Sequence, residues 1–174
     1  MTPKKLPTYE RLHEIFEYKN GMLFFSGKDF DSLGRNRRYL AGKRAGSLHP
    51  LGYRKVSVDQ VPYMEHRIIW LMHYKDSPVE FLDHINNKRD DNRIENLRPA
   101  TRQENNLNAV IRKDNKLGIK GVHWNARDQR YTVALQVNGK RKTFGNYKDL
   151  ELAELVAYEA REKYHGNFAN HGLR

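Results

Sequence analysis

The chain contains no cysteine. Disulfide frameworks and cysteine-bearing zinc sites are therefore excluded, and a reducing cytoplasm is the natural setting. No apolar run approaches the roughly 20 residues of a membrane-spanning helix. The opening residues, MTPKKLPTYERLHEIF, hold no apolar stretch long enough for a secretory signal. No internal repeat is visible. Acidic side chains are the minority: 21 Asp and Glu face 32 Lys and Arg, for a formal net charge of +11.

What is present fits compact, charged domains. A length of 174 residues suits one domain or two small ones. The hydrophobic share of 38% is modest but sufficient for a core, and 11% aromatics argue against disorder. An isoelectric point near 9.8 favours a polyanionic partner. Nucleic acid is the first reading and an anionic membrane surface the second, the latter without a membrane segment to support it. The basic excess is spread over both halves, so both are suited to touch phosphate; a generally basic, solvated surface is the plainer account.

Apolar spacing organises the chain. Over residues 8–18, Tyr9, Leu12, Ile15 and Phe16 recur at helical spacing. Asn20-Gly21 signals a turn, and residues 22–25 then read as a strand. RNRRYLAGKR (35–44) sets Arg35, Arg37, Arg38, Lys43 and Arg44 around Tyr39. It suits a phosphate-contacting loop and, equally, a solvated basic loop. YRKVSVD (53–59) alternates like a half-buried strand. MEHRIIWLMHYK (64–75) is an apolar helix with Met64, Ile68, Ile69, Leu71 and Met72 as core, stopped at Ser77-Pro78. Thr101 and Glu104 make a capping box that starts another helix, carrying Asn105, Leu107 and Val110. RKDNKLG (112–118) reads as a polar linker.

Beyond the linker the rhythm changes. Residues 120–124, 130–137 and 140–145 read as three strands, the last two joined by the hairpin signal Asn138-Gly139. Asp149 can cap a helix over 150–164 that carries Ala153, Val156, Ala157, Ala160 and Tyr164 on one face, with Gly166 as stop. The expected fold class is α+β: a strand–loop–strand–helix unit, then a small three-stranded antiparallel sheet with one helix. The expected division is residues 1–111, a linker at 112–118, and residues 119–174.

The stretch that carries chemistry is DHINNKRDDNRIENLR (83–98). Hydrolysis of a phosphodiester needs a base for water, polarisation of the phosphate and stabilisation of the leaving oxygen. A histidine and one hard cation on oxygen ligands can supply these, and Asp83, His84 and nearby asparagines are the right types. On a regular strand Asp83 and His84 would point to opposite faces, so a shared site requires a strand end or a bend. The turn formers after His84 make such an end plausible, and Ile94 and Leu97 can anchor a return strand. His13, His49, His73 and His165 lack this context and read as structural or exposed.

These residues carry a resemblance. His66-Arg67, Asp83-His84-Ile85-Asn86, the run from Asp91 to Arg98, Thr101 and Glu104-Asn105 resemble the HNH endonucleases, in their phage and homing branch with the ββα-metal fold. The similarity extends over roughly residues 8–110. It implies His84 as general base, and Asp83 and Asn105 as ligands of one divalent metal, Mg²⁺ or alternatively Mn²⁺. It implies Asn96 as the brace of the loop that orients His84. His66 and Arg67 match a recurring His-Arg pair that contacts phosphate or serves the helix. The implied activity is metal-dependent cleavage of double-stranded DNA by a free-standing homing-type enzyme. The implied setting is the cytoplasm of a bacterial or phage-infected cell, as a monomer, with no membrane partner and no small-molecule substrate.

Residues 117–171 resemble the DNA-binding domain of the plant ethylene-response-factor (APETALA) family, by the GV-x-W start, the NGKRK-x-x-G hairpin and the AYEAREKYHGNFAN end. That implies a sheet laid in the major groove, with Lys120, His123, Asn125, Arg127, Arg130, Gln136, Arg141 and Thr143 on or near DNA and Lys140 toward phosphate. Several of these positions depart from the plant pattern, so base preference does not carry over. A non-catalytic DNA-binding regulator on the nuclease scaffold, or a nuclease of structured RNA, would share much of this sequence; intact Asp83, His84 and Asn105 weigh against the regulator.

Overall fold

The computed structural model describes residues 6–28, 34, 36–76 and 81–172. Arg35 and the Ser77-Pro78 helix stop lie outside the described residues. The chain forms two compact units, Met1–Ala100 and Thr101–Arg174. The architecture is α+β, with four helices and only small antiparallel sheets among the described residues.

In the first unit, helix α1 (Tyr9–Ile15) is capped by Thr8, whose hydroxyl accepts from the Arg11 amide at 3.2 Å. The helix stops earlier than its apolar spacing suggests. Phe16 is extended and opens β1 (Phe16–Lys19), which pairs antiparallel with β2 (Met22–Phe25). The reason lies in the turn between them. Asn20 and Gly21 both take positive φ, 47° and 76°, the two-residue turn whose twist matches paired strands. That turn demands a strand on each side, and Phe16 to Lys19 supply it.

A three-stranded sheet follows, in the order β3 (Ser47–Leu48), β4 (Arg54–Val58), β5 (Val61–Met64). Only its middle strand was expected from alternation. Helix α2 (Glu65–Tyr74) then buries Ile68, Ile69, Leu71 and Met72 against Leu12, Phe16, Leu23 and Val56. Met64, expected in that core, is the half-buried residue before the helix. The hairpin β6 (Phe81–His84) and β7 (Leu97–Ala100) completes the unit.

The second unit opens with α3 (Arg102–Asn108). Its capping box is formed on both sides: Glu104 N donates to Thr101 Oγ1 at 3.2 Å, and Thr101 N donates to Glu104 Oε2 at 2.8 Å. A helix end leaves carbonyls that need donors. Here Lys120 Nζ donates to the Leu107 and Ala109 carbonyls at 2.6 Å each, and Asn170 Nδ2 to the Asn108 carbonyl at 2.9 Å. The expected linker, residues 112–118, thus lies inside this unit, where Asn115 bonds Ile119 and Gly118.

The remainder is the sheet order β10-β9-β8, built from β8 (Val122–Asn125), β9 (Arg130–Val137) and β10 (Lys140–Tyr147). Helix α4 (Leu150–His165), capped by Asp149 at 2.7 Å from Leu152 N, packs Ala153 and Ala157 against Val122 and Val133. Among the described residues no helix is long and apolar enough to cross a membrane.

The Gly21 turn gives a test of the first unit. A Cβ at Gly21 would lie 2.6 Å from Arg93 N, and its φ disfavours any L side chain. Gly21→Ala is expected to lower stability by more than about 1 kcal/mol in urea unfolding. An unchanged midpoint would contradict this packing.

Candidate active site

The site grows from the end of β6. The register sets Asp83 opposite Arg98 and His84 opposite Leu97, so the two neighbours leave the strand on opposite faces. The chain bends immediately afterwards: Asn87, at φ 60°, donates its amide to the His84 carbonyl at 2.9 Å. Ile85 N donates to the Asn96 carbonyl at 2.9 Å and closes the base of the loop.

Asn96 clasps that loop. Its Oδ1 accepts from Asn86 N at 3.0 Å, while its Nδ2 donates to Asn86 Oδ1 at 3.0 Å and to the Asp91 carbonyl at 2.7 Å. The Asp91 carboxylate receives Arg93 Nε and Nη2 at 2.8 Å each and Asn86 Nδ2 at 2.7 Å. The Arg93 hydrogen bonds hold its carboxyl well below the usual carboxylate range.

The His84 ring itself is met by a different asparagine. Its Nε2 lies 2.9 Å from Asn92 Oδ1, and Asn92 Nδ2 donates to Glu65 Oε2 at 2.8 Å. Glu65 is fully buried, and Arg44 grips it with Nη1 at 2.6 Å from Oε1 and Nη2 at 3.0 Å from Oε2. Leu23 N also donates to Oε1 at 3.2 Å. Neither Asn92 nor Glu65 stood out in the sequence. Asn92 looked like one more turn former. Glu65 lies three and four residues before the core positions Ile68 and Ile69, a spacing that marks the buried face and could have pointed to it.

Burial pushes the His84 pKa down, against the Asn92 hydrogen bond and the Asp83 and Asp91 charges, which raise it. Its ring therefore favours the neutral, proton-accepting form. His66 packs edge-on to His84 with ring centroids 5.1 Å apart, and Tyr53 lies 5.6 Å and 6.0 Å from the two rings. Burial, with His84 and Arg67 adding to it, pushes His66 to about 3. A neutral, buried His66 packs against His84 and offers no cation to phosphate. Arg67 is half-buried, and burial lowers its pKa.

Asp83 is buried and receives Arg98 Nε at 2.9 Å and Nη2 at 2.7 Å, both on Oδ2. Asn105 is a half-buried residue of α3, in the second unit. A carboxylate and an amide oxygen are hard donors that fit Mg²⁺ or Mn²⁺, which keep several waters and take few protein ligands. Among the described residues no group of three His, Asp or Glu side chains is set to hold a metal.

The residues expected at DNA divide by position. Arg38 and Lys43 are exposed and Arg37 is half-buried. Arg44, also expected at DNA, turns its guanidinium onto the buried Glu65 as its counter-charge. Lys120 is also turned in, onto the end of α3, and burial lowers its pKa to about 8. In the second sheet, directly opposed residues share a face. The pairs His123↔Thr132, Asn125↔Arg130, Gln136↔Arg141 and Ala134↔Thr143 stand on one face, while Val122, Val133 and Leu135 take the other, toward α4. Arg141 Nη2 donates to His123 Nε2 at 2.8 Å. Arg127 is exposed in the β8–β9 turn. Lys140 is exposed, opposite Val137, and Lys142 instead bonds Tyr164 at 3.0 Å.

The depressed His66 pKa makes acid destabilising. The unfolded chain takes up this proton near the ordinary pKa of 6.5, whereas the folded chain resists it down to about 3. Stability is then expected to fall as pH drops below about 6.5, by up to about 1.4 kcal/mol per pH unit for this group. Urea unfolding at pH 7, 6 and 5 measures it, and His66→Phe should flatten the slope.

The comparisons with known proteins bear on the same segment. Residues 63–107 match the family model described as HNH endonuclease, a span that holds α2, the β6–β7 hairpin and α3 up to Leu107. The chain is similar to Protein 3.8 of Escherichia phage T7, 32% identical over 91 residues, covering 51% of this chain and 73% of that protein. No solved structure matches. With its motif clasped around a buried histidine and most of that phage protein's length shared, the chain belongs to the HNH endonuclease family.

Proposed function

We propose that this chain is a metal-dependent endonuclease of the free-standing homing type, cleaving phosphodiester bonds in double-stranded DNA. The observation that carries the reading is His84: a buried imidazole kept neutral and able to accept a proton, beside a carboxylate, at the mouth of a loop clasped by Asn96. His84 takes a proton from the attacking water. Asn96 keeps the loop closed so that the His84 backbone stays at the strand end. Asp83 would be a ligand of one divalent cation, Mg²⁺ or Mn²⁺, which would supply charge for the phosphate and the leaving oxygen. Arg98 orients the Asp83 carboxylate and offsets its charge in the meantime.

The second unit acts as the DNA reader in this proposal. Its three-stranded sheet backed by one helix supports the likeness to the ethylene-response-factor domain. The polar face bearing His123, Asn125, Arg130, Gln136, Arg141 and Thr143 would meet base edges. Arg127, Lys140, Arg38 and Lys43 would meet phosphates. Arg37 and Arg67, both half-buried, are further cations of the first unit.

Purified protein is expected to cut phage genomic DNA in Mg²⁺ or Mn²⁺. His84→Ala should lower the rate by about 10²–10⁴-fold while leaving DNA binding in EDTA within twofold. A wild-type protein that binds DNA but cuts in no divalent metal would sink the nuclease reading. For the reader face, Arg141→Ala is expected to cost about 1–3 kcal/mol of affinity and relax site preference. Lys140→Ala should weaken all sequences alike and reduce the salt slope by about 1. Both are read by fluorescence anisotropy over a salt series, and equal effects of the two changes would refute that division.

A further inference from the structure

We propose that Asn92 and Glu65 are positioning residues that fix His84 in the tautomer protonated on Nε2, which makes Nδ1 the nitrogen that takes the water proton. This rests on the reading of His84 as general base and adds which atom acts and what selects it.

The argument begins at the buried carboxylate. An ionised carboxylate only accepts hydrogen bonds. Glu65 takes two from Arg44 and one from Leu23 N, and its Oε2 takes one more from Asn92. The Asn92 side chain has one donating end and one accepting end. With its amino group committed to Glu65, its carbonyl oxygen faces His84 Nε2 at 2.9 Å. Two acceptors facing each other would leave both unsatisfied, and Asn92 and His84 are 1% and 4% exposed. Nε2 must therefore carry the proton, and in the neutral ring the lone pair is then on Nδ1.

Proton transfer then balances within the ring. The O–H bond of water breaks and its electron pair stays on oxygen as hydroxide. The Nδ1 lone pair forms the new N–H bond, and the imidazole becomes imidazolium. The Nε2–H bond to Asn92 is kept, and the Glu65 carboxylate one residue further stabilises the charge that appears. The proton on Nδ1 afterwards returns to solvent. Arg44 reaches this chain from outside the helix: its Nη1 also donates to the Leu23 carbonyl at 2.9 Å, tying the acid to β2.

The test uses the full chain with ¹⁵N-labelled histidine, with no DNA or metal added. Long-range ¹H–¹⁵N spectra report which nitrogen of each ring is protonated, and the His84→Ala spectrum identifies the His84 signals. The expected wild-type result is Nε2–H. Asn92→Ala and Glu65→Gln should shift His84 toward Nδ1–H or a mixture and slow cutting of phage DNA in Mg²⁺ at least tenfold, with DNA binding in EDTA unchanged. Wild-type His84 protonated on Nδ1 overturns the inference, whether or not either variant folds. So does a variant that loses the Nε2–H signature yet cuts like wild type. If His84→Ala cuts like wild type, the general-base reading fails and takes this inference with it, whereas the tautomer result stands on its own spectrum.

Discussion

The first unit is organised around one buried charge. A carboxylate removed from water is stable only when it is paired and its oxygens are hydrogen-bonded. Glu65, at the first position of α2, meets that demand with partners from four other parts of the unit: hydrogen bonds from the β2 backbone at Leu23, the basic segment at Arg44 and the loop at Asn92, and an ion pair at 3.7 Å with Arg54 of β4. Each partner is thereby fixed to the start of α2. The apolar core of Leu12, Phe16, Leu23, Ile68 and Ile69 supplies the bulk of the burial, but it has no means of orienting a ring. The polar chain through Glu65 does, and it ends on His84.

Local signals were legible in the sequence because they depend on a few adjacent residues. The capping box at Thr101 and Glu104, the Asn-Gly turns at 20–21 and 138–139 and the Asp149 cap all fall where the residues announce them. Strand β1 was hidden because Phe16 fits the helical spacing of Tyr9, Leu12 and Ile15, and only the hairpin decides otherwise. Strand β5 was hidden by its shortness and by Pro62, whose lack of an N–H is tolerated because it lies on the sheet's edge strand. For the site, Asp83, His84 and Asn96 stand in one contiguous stretch and could be picked out together. The Glu65–Asn92 pair spans 27 residues and exists only once the helix and loop have packed. Arg44 illustrates the same limit: in a run of basic residues its charge suggests phosphate, and only the buried acid beneath it reveals its use.

Charge is used in two ways in this chain. The net +11 acts at long range, where it raises affinity for polyanions without regard to sequence. A few cations are withdrawn from that pool and spent on architecture: Arg44 on Glu65, Arg98 on Asp83, Lys120 on the end of α3. Composition counts them alike, and burial and partners separate them. The polar face of the second sheet owes its character to strand register rather than to charge density. Alternation puts Arg141 on one side and Lys142 on the other, although they are neighbours in a basic triplet.

The anchoring of α3 bears on how such proteins can be recombined. A chain is recombined with least disruption at a seam where few bonds are cut. Residues 112–118 look like that seam, yet the donors that satisfy the last carbonyls of α3, Lys120 and Asn170, lie beyond it. A crossover there would strand the helix end without its partners. The compact units divide instead between Ala100 and Thr101. The family match runs through that boundary, from residue 63 to 107, so a cut there would part Asn105 from His84.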